Sequence, residues 1–201
     1  MRPLGVQWEV LVKRRLLLLA VLGGLIAQSA LAQPAPGSPI DIGPAVGKRI
    51  PLFAAIDSKG MTRAFASLPG AKGVVLVFFR SAKWCPFCQL QLIDLKKVEQ
   101  PLEKRGYGLV AISYDTPQVL TAFAEKQDIN YTLLSDGGSK MIDAFGLRDP
   151  QYPVGSFAYG VPKPSIFILD RRGVIRAKLA LEGYKVRPSN DAILGAVDTL
   201  R

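Results

Sequence analysis

Gly73-Val74-Val75-Leu76-Val77-Phe78-Phe79, followed four residues later by Trp84-Cys85-Pro86-Phe87-Cys88, is the stretch that decides the fold. The first run is unbroken, apolar and rich in β-branched and aromatic side chains, the pattern of a strand buried on both faces. Beyond it, Cys88, Leu92, Leu95, Val98 and Leu102 recur at helical steps of 4, 3, 3 and 4. A helix therefore begins at the cysteine pair, and Pro101 is expected to end or kink it near Gln100.

Working outward, Gly108–Tyr114 reads as a second buried strand. Thr116-Pro117 starts another helix, with Thr116 as cap and Pro117 in its first turn, running to about Lys126. Leu133–Asp136 is a short extended piece, and Ser139–Phe145 a short helix closed by Gly146. Ser165–Asp170 and Val174–Leu179 form a hairpin about Arg171-Arg172-Gly173, and Ser189 or Asn190 caps a last helix reaching Leu200. Upstream, Ile50–Ile56 and Met61–Phe65 flank Asp57-Ser58-Lys59-Gly60, a hairpin signal. The expected fold class is α/β: a central mixed sheet flanked by helices, parallel in the middle, antiparallel at one edge, with an N-terminal β-hairpin extension.

Residues 1–32 read as an address. Lys13, Arg14 and Arg15 precede an apolar run from Leu16 to Ala27, and Ala30-Leu31-Ala32 has the small residues of a secretory cleavage site. The run is too short to span a bilayer as a helix, which needs about 20 residues. Cleavage after Ala32 is expected, and the Arg14-Arg15 pair is read as ordinary leader charge rather than a twin-arginine signal. Gln33–Gly47, with Pro34, Pro36, Pro39, Pro44 and three glycines, is expected to be an extended linker, and 48–201 one domain. Localisation follows from the leader: secreted across the inner membrane, into a periplasm. Contact with a membrane is expected only through the leader, if uncleaved.

Composition narrows the chemistry. The chain has 201 residues, 26 Lys+Arg against 16 Asp+Glu, two cysteines and no histidine. Without imidazole there is no Ser-His-Asp or Cys-His triad and no His-ligated metal. Two cysteines cannot complete a four-cysteine metal site, so no metal and no cofactor is expected. The net charge of +10 falls by three if the leader leaves, and it forms no block of five like charges, so no nucleic-acid partner is expected.

What remains is thiol chemistry at Cys85 and Cys88. The first turn of a helix has unpaired N–H groups and an effective positive charge that stabilises a thiolate. Pro86 suits that turn because it lacks an N–H. Cys88 shares the apolar stripe and is expected to be the more buried; in ordinary dithiol exchange Cys85 would attack and Cys88 resolve. Trp84 shields the pair from one side, and Lys83 is read as solvated. A structural staple is the competing reading, but so short a loop removes little unfolded-state entropy. Half a zinc site and two unpaired core cysteines are weaker alternatives.

Val74–Phe79 with the WCPFC motif, Val110–Asp115, Tyr131–Asp136 and Pro164–Ile175 together resemble the alkyl hydroperoxide reductase/thiol-specific antioxidant (AhpC/TSA) branch of the thioredoxin fold, the peroxiredoxin-like redoxins. The resemblance covers about Ile50 to Leu179 and implies an antioxidant thiol oxidoreductase. It implies two mechanisms. In the peroxiredoxin pattern P-x-x-x-T-x-x-C the last cysteine attacks peroxide; that position is Cys88, with Cys85 at the Thr and Ser81 at the Pro. In the exported thioredoxin-like pattern W-C-P-x-C, Cys85 attacks. Peroxiredoxins also use an arginine near the later strand; none stands between Arg148 and Arg171, and Lys163 is the nearest cation there. Thioredoxin-like proteins place a cis-proline opposite the CxxC, and Pro164 stands at the corresponding place. The expected substrate groove is thus Trp84, Pro86, Phe87, Lys163 and Pro164, with the aromatic-rich stretch from Gly146 to Lys163 as either its roof or a plain surface loop. The expected partners are a protein disulfide or thiol reductant, or a small peroxide. The alternative is a non-catalytic thioredoxin-fold binding module carrying a structural disulfide.

Overall fold

A computed structural model describes residues 34–51 and 53–200; the leader reading falls on 1–32, outside the described residues. Seven strands form one sheet: β1 (Ala54–Asp57), β2 (Thr62–Ala64), β3 (Gly73–Phe78), β4 (Tyr107–Ser113), β5 (Thr132–Ser135), β6 (Ser165–Asp170) and β7 (Ile175–Leu179). Their spatial order is β2-β1-β5-β4-β3-β6-β7. β3, β4 and β5 run parallel, as their continuous hydrophobic runs require. Antiparallel pairs close both edges, not one: β6 and β7 on one side, β1 and β2 on the other. The expected N-terminal hairpin is therefore part of the main sheet, because β1 hydrogen-bonds to β5.

Among the described residues there are four α-helices: α1 (Pro86–Lys104), α2 (Pro117–Gln127), α3 (Lys140–Ala144) and α4 (Asn190–Asp198). Alternation along β3 divides the core. Val75, Val77 and Phe79 pack with the buried faces of α1, α2 and α4; Val74, Leu76 and Phe78 pack with Met141 and Ile142 of α3 and with Phe145 and Phe167. The buried residues of α1 are Cys88, Leu92, Leu95, Val98 and Leu102, the stripe expected from the spacing. Each fully buried leucine contributes about 2 kcal/mol of transfer free energy.

Pro101 neither ends α1 nor stops it near Gln100; the helix continues to Lys104. A proline in the last turn removes one N–H donor while few helical bonds remain to be lost. Leu102 is fully buried, and the Arg105 guanidinium donates to both carboxylate oxygens of Asp198, at 2.9 and 3.0 Å, and to the Pro101 carbonyl. These contacts hold the final turn against α4.

The expected extended linker is not a free tether. Gly37 and Ile40 donate backbone hydrogen bonds to the carbonyls of Glu182 and Ala180, and Gly47 and Ile50 to those of Ile175 and Gly173. Pro39 bridges Leu181 and Arg49 bridges Val174, both antiparallel. The prolines and glycines that suggested flexibility instead let a short chain follow the twisted edge of β7 and turn between pairing points.

Candidate active site

β3 and β4 are parallel and in register, with Phe78 opposite Ile112. Both chains therefore leave the sheet at the same end, and the turn after β3 meets the turn after β4. The meeting point is Asp115. Its buried carboxylate accepts from the Ser81 hydroxyl at 2.8 Å, the Ala82 backbone N–H at 2.6 Å and the Ser113 hydroxyl at 3.0 Å. Ser81 Oγ in turn accepts from the N–H groups of Lys83 and Trp84. From the helix side, the Gln89 amide donates to the carbonyls of Ala82 and Lys83. Burial raises the Asp115 pKa, against the lowering effect of its hydrogen bonds.

This clamped turn delivers Cys85 as the N-cap of α1, with Pro86 in the first helical turn. Cys85 and Cys88 form a disulfide with Cα atoms 5.2 Å apart, and the Cys88 N–H donates to Cys85 Sγ at 3.3 Å. The sulfur thus occupies the capping position normally taken by a serine or aspartate oxygen. Cys88 is the more buried, but narrowly: Cys85 is 2% exposed and Cys88 0%. Cys85 is thus more buried than its place ahead of the helical stripe suggests, as part of the core cluster against which Trp84 packs.

The other expected groove residues divide. Trp84 is half-buried, donates its indole N–H to the Tyr114 hydroxyl at 2.9 Å and packs edge-on against Phe157. Phe87 is half-buried against the Tyr184 ring, Pro86 is exposed, and Lys83 is exposed as expected. Lys163 and Pro164 lead into β6, whose Ser165 pairs with Phe78, so they lie at the same sheet end. Lys163 is tied back through its N–H to the Leu147 carbonyl at 2.7 Å. The bond before Pro164 is trans, as are all peptide bonds of the described residues, which departs from the cis geometry expected there. Of the stretch from Gly146 to Lys163, Tyr152 and Phe157 pack over Arg80 and Trp84. Phe157 packs edge-on against Trp84 and Tyr152, and its carbonyl lies 3.4 Å from the Tyr114 hydroxyl.

Two arginines at the site escaped the sequence reading, and they displace Lys163 as the cations of interest. Arg80, directly after β3, is 2% exposed; its guanidinium carbon lies 4.7–5.1 Å from the ring centroids of Trp84, Tyr152 and Tyr184. It donates to the Tyr152 hydroxyl, while its Nε has no partner. Arg187, in the segment between β7 and α4, donates through Nη2 to Cys88 Sγ at 3.4 Å. Its remaining donors go to Gln91 Oε1 and to the carbonyls of Tyr184 and Val186. Burial, with the nearby charge of Arg80, lowers the Arg187 pKa to about 10, which leaves it a cation at neutral pH. A groove of about 430 Å³, lined in part by Phe87, Leu90, Asp94 and Arg187, opens beside it. Arg80 carried a usable signal, a charge at the end of a buried strand. Arg187 carried none, since only the path of the chain after β7 brings it to α1.

Comparisons with known proteins agree with this geometry. The AhpC/TSA family model matches residues 46–178. Peroxiredoxin Bcp of Escherichia coli is 30% identical over 148 residues, which is 74% of this chain and 92% of that protein. Among solved structures, peroxidoxin BcpB of Mycobacterium tuberculosis superposes with a TM-score of 0.67 at 22% identity, covering 80% of this chain and 99% of that one. A peroxiredoxin 6 of Arenicola marina gives 0.70 at 19% identity, covering 79% and 74%. At these identities the structures speak for the fold, and the family match and the sequence relative speak for descent. The chain is a peroxiredoxin-like oxidoreductase of the thioredoxin fold, and it belongs to the AhpC/TSA family.

Proposed function

We propose that the protein is an exported thiol peroxidase that turns over entirely within one helical turn, cycling Cys85 and Cys88 between dithiol and disulfide. One thiolate attacks the terminal oxygen of a hydroperoxide; an S–O bond forms, the O–O bond breaks, and the departing alkoxide or hydroxide takes a proton. The second thiol then displaces water from the sulfenic acid and closes the disulfide. Two thiols of an external reductant reopen it by exchange, so each cycle converts one hydroperoxide and two thiols into alcohol, water and a disulfide.

The observation that carries this reading is the disulfide itself, set at the N-cap of α1 inside a family of peroxiredoxins. A structural staple would gain little from closing a loop with a sequence separation of 3. Export is supported by the leader pattern of residues 1–32 and by the oxidising compartment that a lone cysteine pair suits. A second reading, direct exchange with protein disulfides, is favoured by the intact W-C-P-x-C motif.

Stopped-flow mixing of the reduced mature protein with hydrogen peroxide or an organic hydroperoxide tests the first reading. The expected result is thiol loss at least about a hundredfold faster than for free cysteine, with the Cys85–Cys88 disulfide as product. Thiols no faster than free cysteine, beside rapid reduction of a protein disulfide, would favour exchange. Cell fractionation with N-terminal sequencing checks export, with a mature chain beginning at Gln33 as the expected outcome.

A further inference from the structure

Three separate segments meet around the disulfide and expose apolar side chains there. Phe157 and Val154, in the turns of the 146–163 loop, are 76% and 81% exposed, and Leu90 on α1 is 65% exposed. Tyr184 and Val186, after β7, are exposed as well. Contacts make the patch continuous. Phe157 packs edge-on against Trp84, and Trp84 and Tyr184 share the Arg80 guanidinium. Tyr184 packs against Phe87, and Phe87 lines one groove with Leu90 and Lys185. So much contiguous apolar surface marks a contact with something outside the chain. We propose that this end of the molecule docks peripherally on an anionic lipid surface, with Phe157, Val154 and Leu90 entering the headgroup layer beside Lys83 and Lys185.

Charge decides for a lipid surface over a protein. Residues 83–90, 146–163 and 182–188 carry Lys83, Arg148, Lys163, Lys185 and Arg187 against Asp149 and Glu182 alone. Asp149 is buried and Glu182 half-buried, whereas Lys83 and Lys185 are exposed. Asp94, the first acid along α1, is held by Lys97 and Asn190. Protein interfaces favour arginine and aromatic rings but are poor in lysine. Here the arginines are engaged internally: Arg80 with Tyr152, Arg148 with Asp143, and Arg187 with Gln91 and backbone carbonyls. The cations left at the surface are lysines set among aromatic rings, the combination that gathers at a water–lipid boundary. Loop tips also suit a fluid partner, because a headgroup layer moulds around them without a complementary shape. The contact is separate from any that the leader makes, and it holds whether a peroxide or a protein disulfide is the substrate.

The test uses the oxidised protein beginning at Gln33, so that the leader cannot bind lipid. It is sedimented with vesicles of phosphatidylcholine, alone or mixed with phosphatidylglycerol. Binding to the mixed vesicles is expected to be at least about tenfold tighter and to weaken as salt rises. Trp84 is the one tryptophan after the leader, the other being Trp8. Its emission is expected to shift to the blue, and to resist acrylamide quenching, when the protein binds. Phe157→Ser and Val154→Ser are each expected to weaken binding at least about threefold. Circular dichroism checks that the variants are folded, and Val154→Ser carries the comparison if Phe157→Ser disturbs the packing at Trp84. Lys185→Glu is expected to weaken binding at least about tenfold, and Lys104→Glu, at the far end of α1, by about twofold at most. No preference for phosphatidylglycerol, Trp84 emission unmoved in sedimented protein, or Lys104→Glu as damaging as Lys185→Glu overturns the proposal. So does a protein that ignores both vesicles while Lys185→Glu slows its reduction by a protein thiol, a result that assigns the patch to a protein partner instead.

Discussion

The Asp115 carboxylate holds the Ala82 backbone N–H at 2.6 Å and thereby ties the end of β4 to the turn that launches α1. The two residues are 33 apart in sequence, and only the parallel register of β3 and β4 makes them neighbours. The bond fixes where α1 begins, and with it the separation and heading of both sulfurs.

Replacing this clamp tests its role. Asp115→Asn keeps the shape but leaves one acceptor oxygen where the carboxylate offers two, so either Ala82 N–H or a serine hydroxyl loses its acceptor. The expected cost is about 1–3 kcal/mol, read from urea midpoints. The pH dependence follows from the raised folded-state pKa. A carboxyl that binds its proton more tightly when folded contributes most below its unfolded pKa of about 3.8, and loses that contribution as pH rises through the folded value. The stability advantage of wild type over Asp115→Asn is therefore expected to be largest in acid and to shrink as pH rises above about 4.

Asp57 has the opposite sign. Burial acts to raise its pKa, but the Arg63 guanidinium at 2.7 Å and the N–H groups of Met61 and Lys59 at 2.8 Å outweigh it and hold the carboxyl below its ordinary value. Such a group contributes stability above its unfolded pKa and loses it as pH falls through the folded one. Asp57→Asn is expected to destabilise by about 1–2 kcal/mol at pH 7. The difference from wild type should fade below about pH 4 in acid denaturation curves.

Two glycines separate crowding from conformational freedom. A Cβ on Gly73 would lie 1.9 Å from the Leu169 carbonyl oxygen, between strands paired on both sides. Gly73→Ala is expected to cost several kcal/mol, at least about 3, or to abolish soluble folding. Gly195 lies in α4 with open space around its Cβ position. Gly195→Ala is expected to stabilise by about 0.5–1 kcal/mol, seen as a raised urea midpoint with unchanged slope.

The packing at Trp84 is tested in two steps. Tyr114→Phe removes the acceptor of the indole N–H and is expected to cost about 0.5–1.5 kcal/mol. Trp84→Ala also strips the ring that lies against Phe157 and over the Arg80 guanidinium, for an expected loss of about 2–3 kcal/mol. The same substitution should speed alkylation of reduced Cys85, because it opens the edge of the core cluster in which Cys85 is buried.

Local periodicity made most of the fold readable. The buried run at Val74–Phe78, the leucine stripe of α1 and the Thr116-Pro117 start of α2 each express a short-range preference that packing then reinforces. Thr116 does cap α2, accepting from the Val119 N–H. The misreadings share a cause, since each depended on partners distant in sequence. Pro101 is held helical by Leu102 burial and the Arg105–Asp198 pair, and the proline-rich 34–47 stretch is pinned by β7. At the site, Cys85, Cys88, Trp84 and Phe87 were legible because they are contiguous. Asp115, Tyr114 and Arg187 are not legible as site residues, because only the sheet register brings Asp115 and Tyr114 to the turn before α1, and only the path after β7 brings Arg187 to Cys88.

The polypeptide laid along β7 from Gly37 to Ile50 also acts as a guard rail. An uncovered β7 would offer unpaired amides and carbonyls to a neighbouring molecule, the template on which sheets grow from chain to chain. Here that margin is covered at its two ends. Ile175 exchanges backbone hydrogen bonds with Gly47 and Lys48, and Gly37, Ser38 and Ile40 pair with Ala180 and Glu182. The opposite margin ends in β2, only three residues long. A chain trimmed back to Lys48 would bare that border, and self-association on storage, rather than any change at the sulfurs, is what the loss should produce.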